Sequence, residues 1–98
     1  MAVIMNTQIA GADASFIDGM RAAGVVDAIS KAPGFLSHIS GASSSGYRVI
    51  EVWEPRQAHQ SWYDNHVAPN LPPGIKPTWE YIDLVLAVPG ALSLVPYA

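Results

Sequence analysis

The residues best suited to chemistry in this 98-residue chain are a few polar and aromatic side chains at short spacing. Glu51 and Trp53 are two apart within an apolar run, and Trp62 and His66 are four apart. Such spacings place each pair on one face of a strand or a helix. A carboxylate, two indoles and an imidazole among apolar groups are typical of a small-molecule pocket. His38 is a further candidate acid or base, because imidazole exchanges protons near neutral pH.

Each of these residues also has a structural interpretation. His38 can equally be hydrogen-bonded within a sheet, and buried indoles belong to a core more often than to a reaction. A buried carboxylate costs free energy unless it is paired, so Glu51 lies either at a hydrated sheet edge or in a polar pocket. His59 is expected to face solvent. It lies two helical turns from His66, about 10 Å, so these two histidines cannot share a metal ion.

Composition restricts the partners and cofactors. Five basic residues and a net charge of −3 argue against nucleic acid, because phosphate binding needs clustered Lys and Arg. The chain has no cysteine, no compact cluster of metal ligands and no glycine-rich dinucleotide loop. We therefore expect no metal, flavin or haem. No apolar run is long enough to span a bilayer, and the first residues do not form a signal peptide, so a cytoplasmic protein is expected.

The hydrophobic pattern predicts four strands, over 2–9, 35–41, 47–54 and 79–88. The first helical region begins with a predicted capping box at Ser15 and Asp18. Within it, Gly24 either ends a first helix as a left-handed cap or lies inside a longer one. Pro55 is predicted to open the second helix, because proline is favoured at the first helical position.

This order is β-α-β-β-α-β, which predicts one α+β domain of the ferredoxin-like kind over residues 1–98. Helices cover one face of such a sheet, and a second copy of the chain would cover the other. Only 13% of the residues are charged, which is low for a small monomer and favours a homodimer. The apolar tail 89–98, with Leu92, Leu94, Val95 and Tyr97, is expected to pack on the partner or close the barrel.

Three segments resemble the antibiotic-biosynthesis-monooxygenase-like family: Pro33-Gly34-Phe35-Leu36-x-His38, Gly46-x-Arg48-Val49-x-x-Val52-Trp53-Glu54, and Trp62 to Pro69. The resemblance extends to about Val88 and implies a dimeric α+β barrel. Members of the family include cofactor-free oxygenases that convert polyketide anthrones or phenols into quinones, and haem-degrading enzymes. The chain departs from the family pattern at Pro55, where the family usually has serine.

The haem-degrading branch uses an asparagine on the first strand, a tryptophan in the second helix and a histidine iron ligand beyond it. Asn6 and Trp62 match the first two positions. His66 falls too early for the ligand, and Asn70 lies nearer the expected position, so the resemblance does not imply haem binding here. The oxygenase branch implies a pocket lined by Trp, Tyr, Asn, His and Arg side chains.

These patterns predict a cofactor-independent enzyme, of the quinone-forming monooxygenase type, acting on an aromatic or polyketide-like small molecule. The alternatives are a non-catalytic binding or accessory barrel, and an isomerase or cyclase on the same scaffold. We expect His38 and His66 as the candidate proton acceptors. The expected substrate-binding residues are Asn6, Glu51, Trp53, Trp62 and Tyr63, although Tyr63 points away from the helix face of Trp62.

Overall fold

The computed structural model describes residues 1–92 and confirms the predicted ferredoxin-like order. Four strands form one sheet in the order β2-β3-β1-β4, every neighbouring pair is antiparallel, and helices cover one face. The elements are β1 Val3–Ala10, α1 Ser15–Ala22, α2 Val25–Ile29, β2 Phe35–Ser43, β3 Gly46–Trp53, α3 Arg56–Trp62 and β4 Thr78–Asp83.

The central strands β1 and β3 carry the core on their helix-facing side. Side chains alternate between the two faces of a strand, and on β1 the buried ones are Val3, Met5, Thr7 and Ile9. On β3 the same side carries Tyr47, Val49, Glu51 and Trp53, all buried. The one carboxylate in this set lies directly opposite Met5 of β1. It therefore belongs to the interior between sheet and helices.

A bulge in β2 changes the predicted alternation of that strand. The register shifts between Phe35 and Ser37, so that Phe35 pairs with Trp53 and His38 pairs with Glu51. A bulge inserts one extra residue and thereby moves the following side chains to the other face. Unbroken alternation over the predicted strand 35–41 would place Phe35 and His38 on opposite faces of the sheet, and the bulge is the reason that it does not. Both side chains face the helices, and His38 lies beside Glu51.

The first helical region consists of two short helices rather than one. Gly24 has a φ of 80° and separates α1 from α2, which confirms the alternative of a left-handed cap. The predicted capping box is wrong, because Ser15 is the first residue of α1 and not its N-cap residue. The N-cap residue is Ala14, which forms no capping hydrogen bond through its side chain. Instead Asp13 accepts a 2.9 Å hydrogen bond from the Ser15 amide. Hydrogen bonds from Ser15, first that of its hydroxyl, lower the pKa of Asp13.

Gly34 allows the start of β2 to approach the end of β3 and the start of α3. It has a φ of 84°, and a Cβ atom there would lie 2.5 Å from the Glu54 carbonyl oxygen and 2.7 Å from the Ala58 Cβ. The Gly34 carbonyl accepts a 2.9 Å hydrogen bond from the Glu54 amide. The Pro-Gly pair that the sequence marks as a turn is therefore also a packing requirement.

The second helical region departs from a continuous helix. Pro55 is extended and precedes α3 instead of forming its first position. After Trp62 the chain continues as a π-helical turn, Tyr63–Val67, and then a 3₁₀ turn, Ala68–Asn70. Wide π turns within helices occur frequently at functional sites. The change of helical geometry alters which side chains of 63–67 face the sheet.

The chain beyond β4 is not a continuation of the sheet as far as it is described. β4 ends at Asp83 rather than Val88, and Val85, Leu86, Val88 and Leu92 are largely exposed. Leu94, Val95 and Tyr97 lie outside the described residues, so packing of the tail on a partner stays a prediction. Within residues 1–92 the helices are all too short or too polar to cross a membrane.

Candidate functional site

An apolar cavity of about 80 Å³ lies between the sheet and the helices. Apolar side chains of β1, α1, α2 and α3 form most of its wall, and a few polar ones interrupt it: Thr7, His38, Tyr47, Glu51, His59 and Tyr63. An apolar enclosure with a few convergent polar groups is the usual form of a small-molecule site. Ligand sites commonly have volumes of about 300–1,000 Å³. Side chains must therefore move before this cavity accepts a fused aromatic ligand.

Five side chains form a continuous hydrogen-bonded chain, and three of them line the cavity: His38, Tyr47 and Glu51. The Trp53 indole N–H donates to Glu51 Oε1 at 2.9 Å, and Glu51 Oε2 lies 2.6 Å from His38 Nδ1. On the other side of the imidazole, Nε2 lies 3.0 Å from the Ser40 hydroxyl oxygen. That oxygen lies 2.7 Å from the Tyr47 hydroxyl. The chain joins the buried β3 strand to the exposed edge strand β2.

The donors in this chain of hydrogen bonds depend on the ring tautomer of His38. With Glu51 ionised, and therefore only an acceptor, and with His38 neutral, Nδ1 carries the proton and donates to Glu51. In that arrangement Nε2 accepts from Ser40, and Tyr47 donates to Ser40. The structure thus places Glu51 in a polar part of the cavity wall, with two hydrogen bonds to its carboxylate, rather than at a hydrated edge.

His59 is a cavity residue that sequence reasoning assigned to the solvent, and that prediction is wrong. Its side chain is only 2% exposed, and Nδ1 lies 2.8 Å from the Tyr81 hydroxyl. Its ring packs edge-on against Trp79 at 5.2 Å between centroids. Strand β4 supplies both aromatic partners, and this long-range packing is invisible in the helix pattern. One feature of the sequence does indicate that His59 is buried: it lies three residues before Trp62, and this spacing places both side chains on one broad face of the helix.

The His59 ring lines the cavity, and its second nitrogen, Nε2, has no hydrogen-bond partner within residues 1–92. Nε2 is not fully buried either, because every fully buried side-chain nitrogen or oxygen in this part of the chain has a partner. A ligand oxygen in the cavity can hydrogen-bond there. Burial lowers the pKa of His59, opposed in part by the charges of Glu51 and Asp64.

The lowered pKa of His59 makes stability depend on pH. The unfolded imidazole has a pKa of about 6.5, so its contribution is fully present above that pH and is lost as the pH falls through the lower folded pKa. We expect a change from pH 7 to pH 5 to lower the free energy of unfolding of the parent more than that of His59→Gln. Urea denaturation at each pH measures this free energy. One proton limits the difference to about 1.4 kcal/mol per pH unit. Parallel pH profiles for the two proteins would contradict this.

Not all predicted site residues converge. Asn6 lies on the opposite face of the sheet, because it alternates with the buried Met5 and Thr7, and its side-chain oxygen accepts a 2.9 Å hydrogen bond from Arg48. The prediction that Asn6 lies in the pocket is therefore wrong. Trp53 is fully buried and contacts Glu51 instead of lining the cavity.

The two other departures involve the π-helical turn. His66 is exposed and stacks on Trp62 with 4.4 Å between ring centroids, so it lies outside the cavity. Tyr63, expected to point away from Trp62, lines the cavity with it. Its ring packs 4.6 Å from that of Trp79 on β4.

Trp62 separates the cavity from a larger groove on the outer surface. The groove lies between α2 and the second helical region, has a volume of about 760 Å³ and includes Asp27, Lys31, Asn65 and His66. Trp62 lines both spaces.

Within residues 1–92 the structure has no group of three or more His, Asp or Glu side chains arranged to hold a metal ion. The predicted absence of a metal site and of cofactors stays a prediction.

Sheet, helices and internal cavity define a ferredoxin-like α+β domain, and the comparisons agree with that class. No family model and no curated protein matches the chain. Among solved structures it is similar to an MhuD variant with two manganese protoporphyrin IX molecules bound per active site, with a TM-score of 0.58 and 24% identity, covering 92% of this chain and 100% of that one.

It is also similar to the haem degrader MhuD from Mycobacterium tuberculosis with two haems bound, with a TM-score of 0.56 and 20% identity, covering 89% of this chain and 99% of that one. SnoaB, a cofactor-independent oxygenase from Streptomyces nogalater, has a TM-score of 0.55 and 14% identity, covering 91% and 96% of the two chains. These neighbours have the ferredoxin-like fold of the antibiotic biosynthesis monooxygenase type, and the likeness shows that this chain has a ferredoxin-like α+β fold.

Proposed function

We propose that this protein is a cofactor-independent enzyme that oxygenates a phenolic or polyketide-like aromatic molecule to a quinone. The observation that carries the proposal is the His38–Glu51 pair in the wall of an apolar cavity, with 2.6 Å between Nδ1 and the carboxylate. Such a pair is a general base with a defined accepting nitrogen. SnoaB, with the same fold, is a cofactor-independent oxygenase, which makes this chemistry compatible with the scaffold.

The reaction needs a base and a dry site but no redox group of the protein. Loss of the phenolic proton to His38 Nε2 makes the aromatic ring electron-rich. The phenolate then donates two electrons to molecular oxygen, a bond forms between a ring carbon and one oxygen atom, and His38 returns the proton to the outer oxygen to give a hydroperoxide. Loss of water from the hydroperoxide leaves the quinone, so that one oxygen atom enters the product and the other leaves in water. Exclusion of solvent from the cavity strengthens the electrostatic interactions on which the deprotonation depends.

The residues in and around the cavity have distinct roles in this proposal. A phenol takes the place of the Ser40 hydroxyl at His38 Nε2, and Glu51 orients the imidazole and stabilises its protonated form. His59 Nε2 holds a second ligand oxygen, while Trp62 and Tyr63 pack against the aromatic rings. Trp53 acts by positioning Glu51. His66, stacked on Trp62, contacts the ligand on its way from the outer groove rather than serving as the base.

Haem degradation is a second candidate, because MhuD is among the structural neighbours. The residues of this chain do not fit haem. His66, the histidine that follows Trp62 in the second helical region, is exposed and lies outside the cavity. His59 is bonded to Tyr81 through Nδ1. We therefore propose no haem-dependent step.

The test is oxygen uptake and quinone absorbance with a panel of naphthols and anthrones, in air and under nitrogen. We expect His38→Ala to lower kcat/KM by about 10²–10⁴-fold, because a positioned base contributes about that factor. Gln60→Ala, on the exposed side of α3, is the control and should match the parent. Ligand binding without oxygen uptake would instead favour an accessory binding protein, and product without oxygen uptake an isomerase or cyclase.

We also propose that two copies pair through the open face of the sheet. That face carries Leu36 and Ile39, 56% and 55% exposed, and Ile82, 42% exposed. Leu36 and Ile39 lie on one edge strand and Ile82 on the other, and the half-buried side chains between them on this face include Ile4, Ile50 and Val52. An exposed apolar face of this kind favours an interaction surface, and both copies of a two-fold pair would present the same residues. Light scattering at low micromolar concentration should give the mass of two chains, and Ile39→Asp should give one. A parent that scatters as a monomer would contradict the proposal.

A further inference from the structure

We infer that Ser40, His38 and Glu51 form a nucleophile–base–acid triad that transfers the acyl group of a small ester. Ser40 Oγ lies 3.0 Å from His38 Nε2, and His38 Nδ1 lies 2.6 Å from the Glu51 carboxylate. An activated serine is recognised by this geometry: a hydroxyl within about 2.6–3.2 Å of a base, and the base oriented by a third group. The arrangement recurs on unrelated folds and in any chain order.

Two neighbouring residues complete the arrangement. The Trp53 indole N–H holds the second carboxylate oxygen of Glu51 at 2.9 Å, which fixes the carboxylate opposite His38. The Tyr47 hydroxyl lies 2.7 Å from Ser40 Oγ. A hydroxyl donor beside the nucleophile is in position to donate to the oxygen that becomes negative when the ester carbonyl is attacked. Each of the five side chains thus has a part in one reaction.

The position of Ser40 admits a substrate from solvent. Ser40 is exposed on the edge strand β2, whereas its partners His38 and Tyr47 line the cavity. The nucleophile therefore lies between solvent and an apolar space of about 80 Å³. That space suits a short acyl chain, with the alcohol part of the ester left outside. The expected substrates are acetyl and butyryl esters rather than long-chain lipids.

The reaction needs no co-reactant other than water. Ser40 Oγ bonds to the acyl carbon while its proton moves to His38 Nε2. The bond to the alcohol oxygen breaks, and His38 returns the proton to the leaving alcohol. Water, deprotonated by His38, then attacks the acyl-serine ester, and the carboxylic acid leaves as Ser40 regains its proton. Nothing is oxidised or reduced, so this activity is separate from the proposed oxygenation, which needs no serine nucleophile.

The experiment is covalent labelling with a fluorophosphonate, read by intact mass and by peptide mapping, together with hydrolysis of p-nitrophenyl acetate and butyrate. We expect the fluorophosphonate to add one label per chain, on Ser40. We also expect the mass of the parent incubated with a p-nitrophenyl ester to reveal an acyl-enzyme. Ser40→Ala should lose the label, and Ser40→Ala and His38→Ala should each lower kcat/KM for the esters about 100-fold or more.

Ser43→Ala is the matched control, because Ser43 is exposed on the same strand and, within residues 1–92, its hydroxyl hydrogen-bonds only to Ser45 and the Gly46 carbonyl. It should label and hydrolyse like the parent. An unlabelled parent, a label on another residue, or a Ser40→Ala variant that hydrolyses as fast as the parent would overturn the inference. Quinone formation by Ser40→Ala would be retained, which separates failure of the triad from failure of the proposed oxygenase.

Discussion

Glu51→Gln is expected to lower both ester hydrolysis and quinone formation by about 10²–10⁴-fold while the protein stays folded. The new side chain has the same shape, and its oxygen can still accept from the Trp53 indole, the bond that is 2.9 Å long in the parent. Its NH₂ group would face His38 Nδ1, where the parent has a carboxylate oxygen at 2.6 Å. His38 must then accept at Nδ1 and carry its proton on Nε2, the nitrogen that has to act as the base.

The measurement combines kinetics with nitrogen NMR of the His38 ring. A change of tautomer at His38 together with loss of activity is the expected result, and a merely structural role of Glu51 would not reverse the two ring nitrogens. Glu54→Gln, three residues along and exposed, is the control and should leave both the spectrum and the rates unchanged. Full activity of Glu51→Gln with an unchanged tautomer would show that the carboxylate does not orient the base.

Trp53→Ala is expected to cost about 3–5 kcal/mol of stability, the usual loss for truncating a large aromatic core residue. Trp53 is fully buried and packs with Phe35 at 5.4 Å and with Trp62 at 6.2 Å between ring centroids. Domains of this size are stable by only about 5–15 kcal/mol. The variant should therefore be partly unfolded at moderate urea concentrations.

Urea denaturation followed by circular dichroism measures this loss. Trp53→Phe is the informative companion, because it keeps an aromatic ring but removes the N–H that donates to Glu51. We expect it to retain most of the stability and to lose part of the activity. A loss below about 1 kcal/mol for Trp53→Ala would show that the core does not depend on this indole.

Local patterns were sufficient for much of the fold. The alternation of Val3, Met5, Thr7 and Ile9 with Ile4 and Asn6 indicated β1, and Pro33-Gly34 indicated the end of the first helical region. These signals are short-range, because backbone conformation and strand periodicity depend on adjacent residues. The resemblance to a known family indicated the same architecture, and the element order then left few ways to pair the strands.

Part of the candidate site followed from the same patterns. Alternation placed Glu51 and Trp53 on one face of β3, and both do face the helices. Asn6 shows the limit of reasoning from a resemblance: it matched a family position, yet its own alternation with Met5 and Thr7 puts it on the other side of the sheet. Helical spacing likewise linked His66 to Trp62, which it does contact, but outside the cavity.

Composition, alternation and turn residues by themselves determined the number and order of elements and which side of β3 is buried. Only the tertiary structure decided which polar groups meet. The bulge in β2 becomes visible only when that strand is paired with β3, and it is what brings His38 to Glu51 and Ser40 to Tyr47. His59 is buried because β4, about 20 residues later in the chain, packs Trp79 and Tyr81 against it. Strand register and packing between distant segments depend on contacts that no local window of sequence contains.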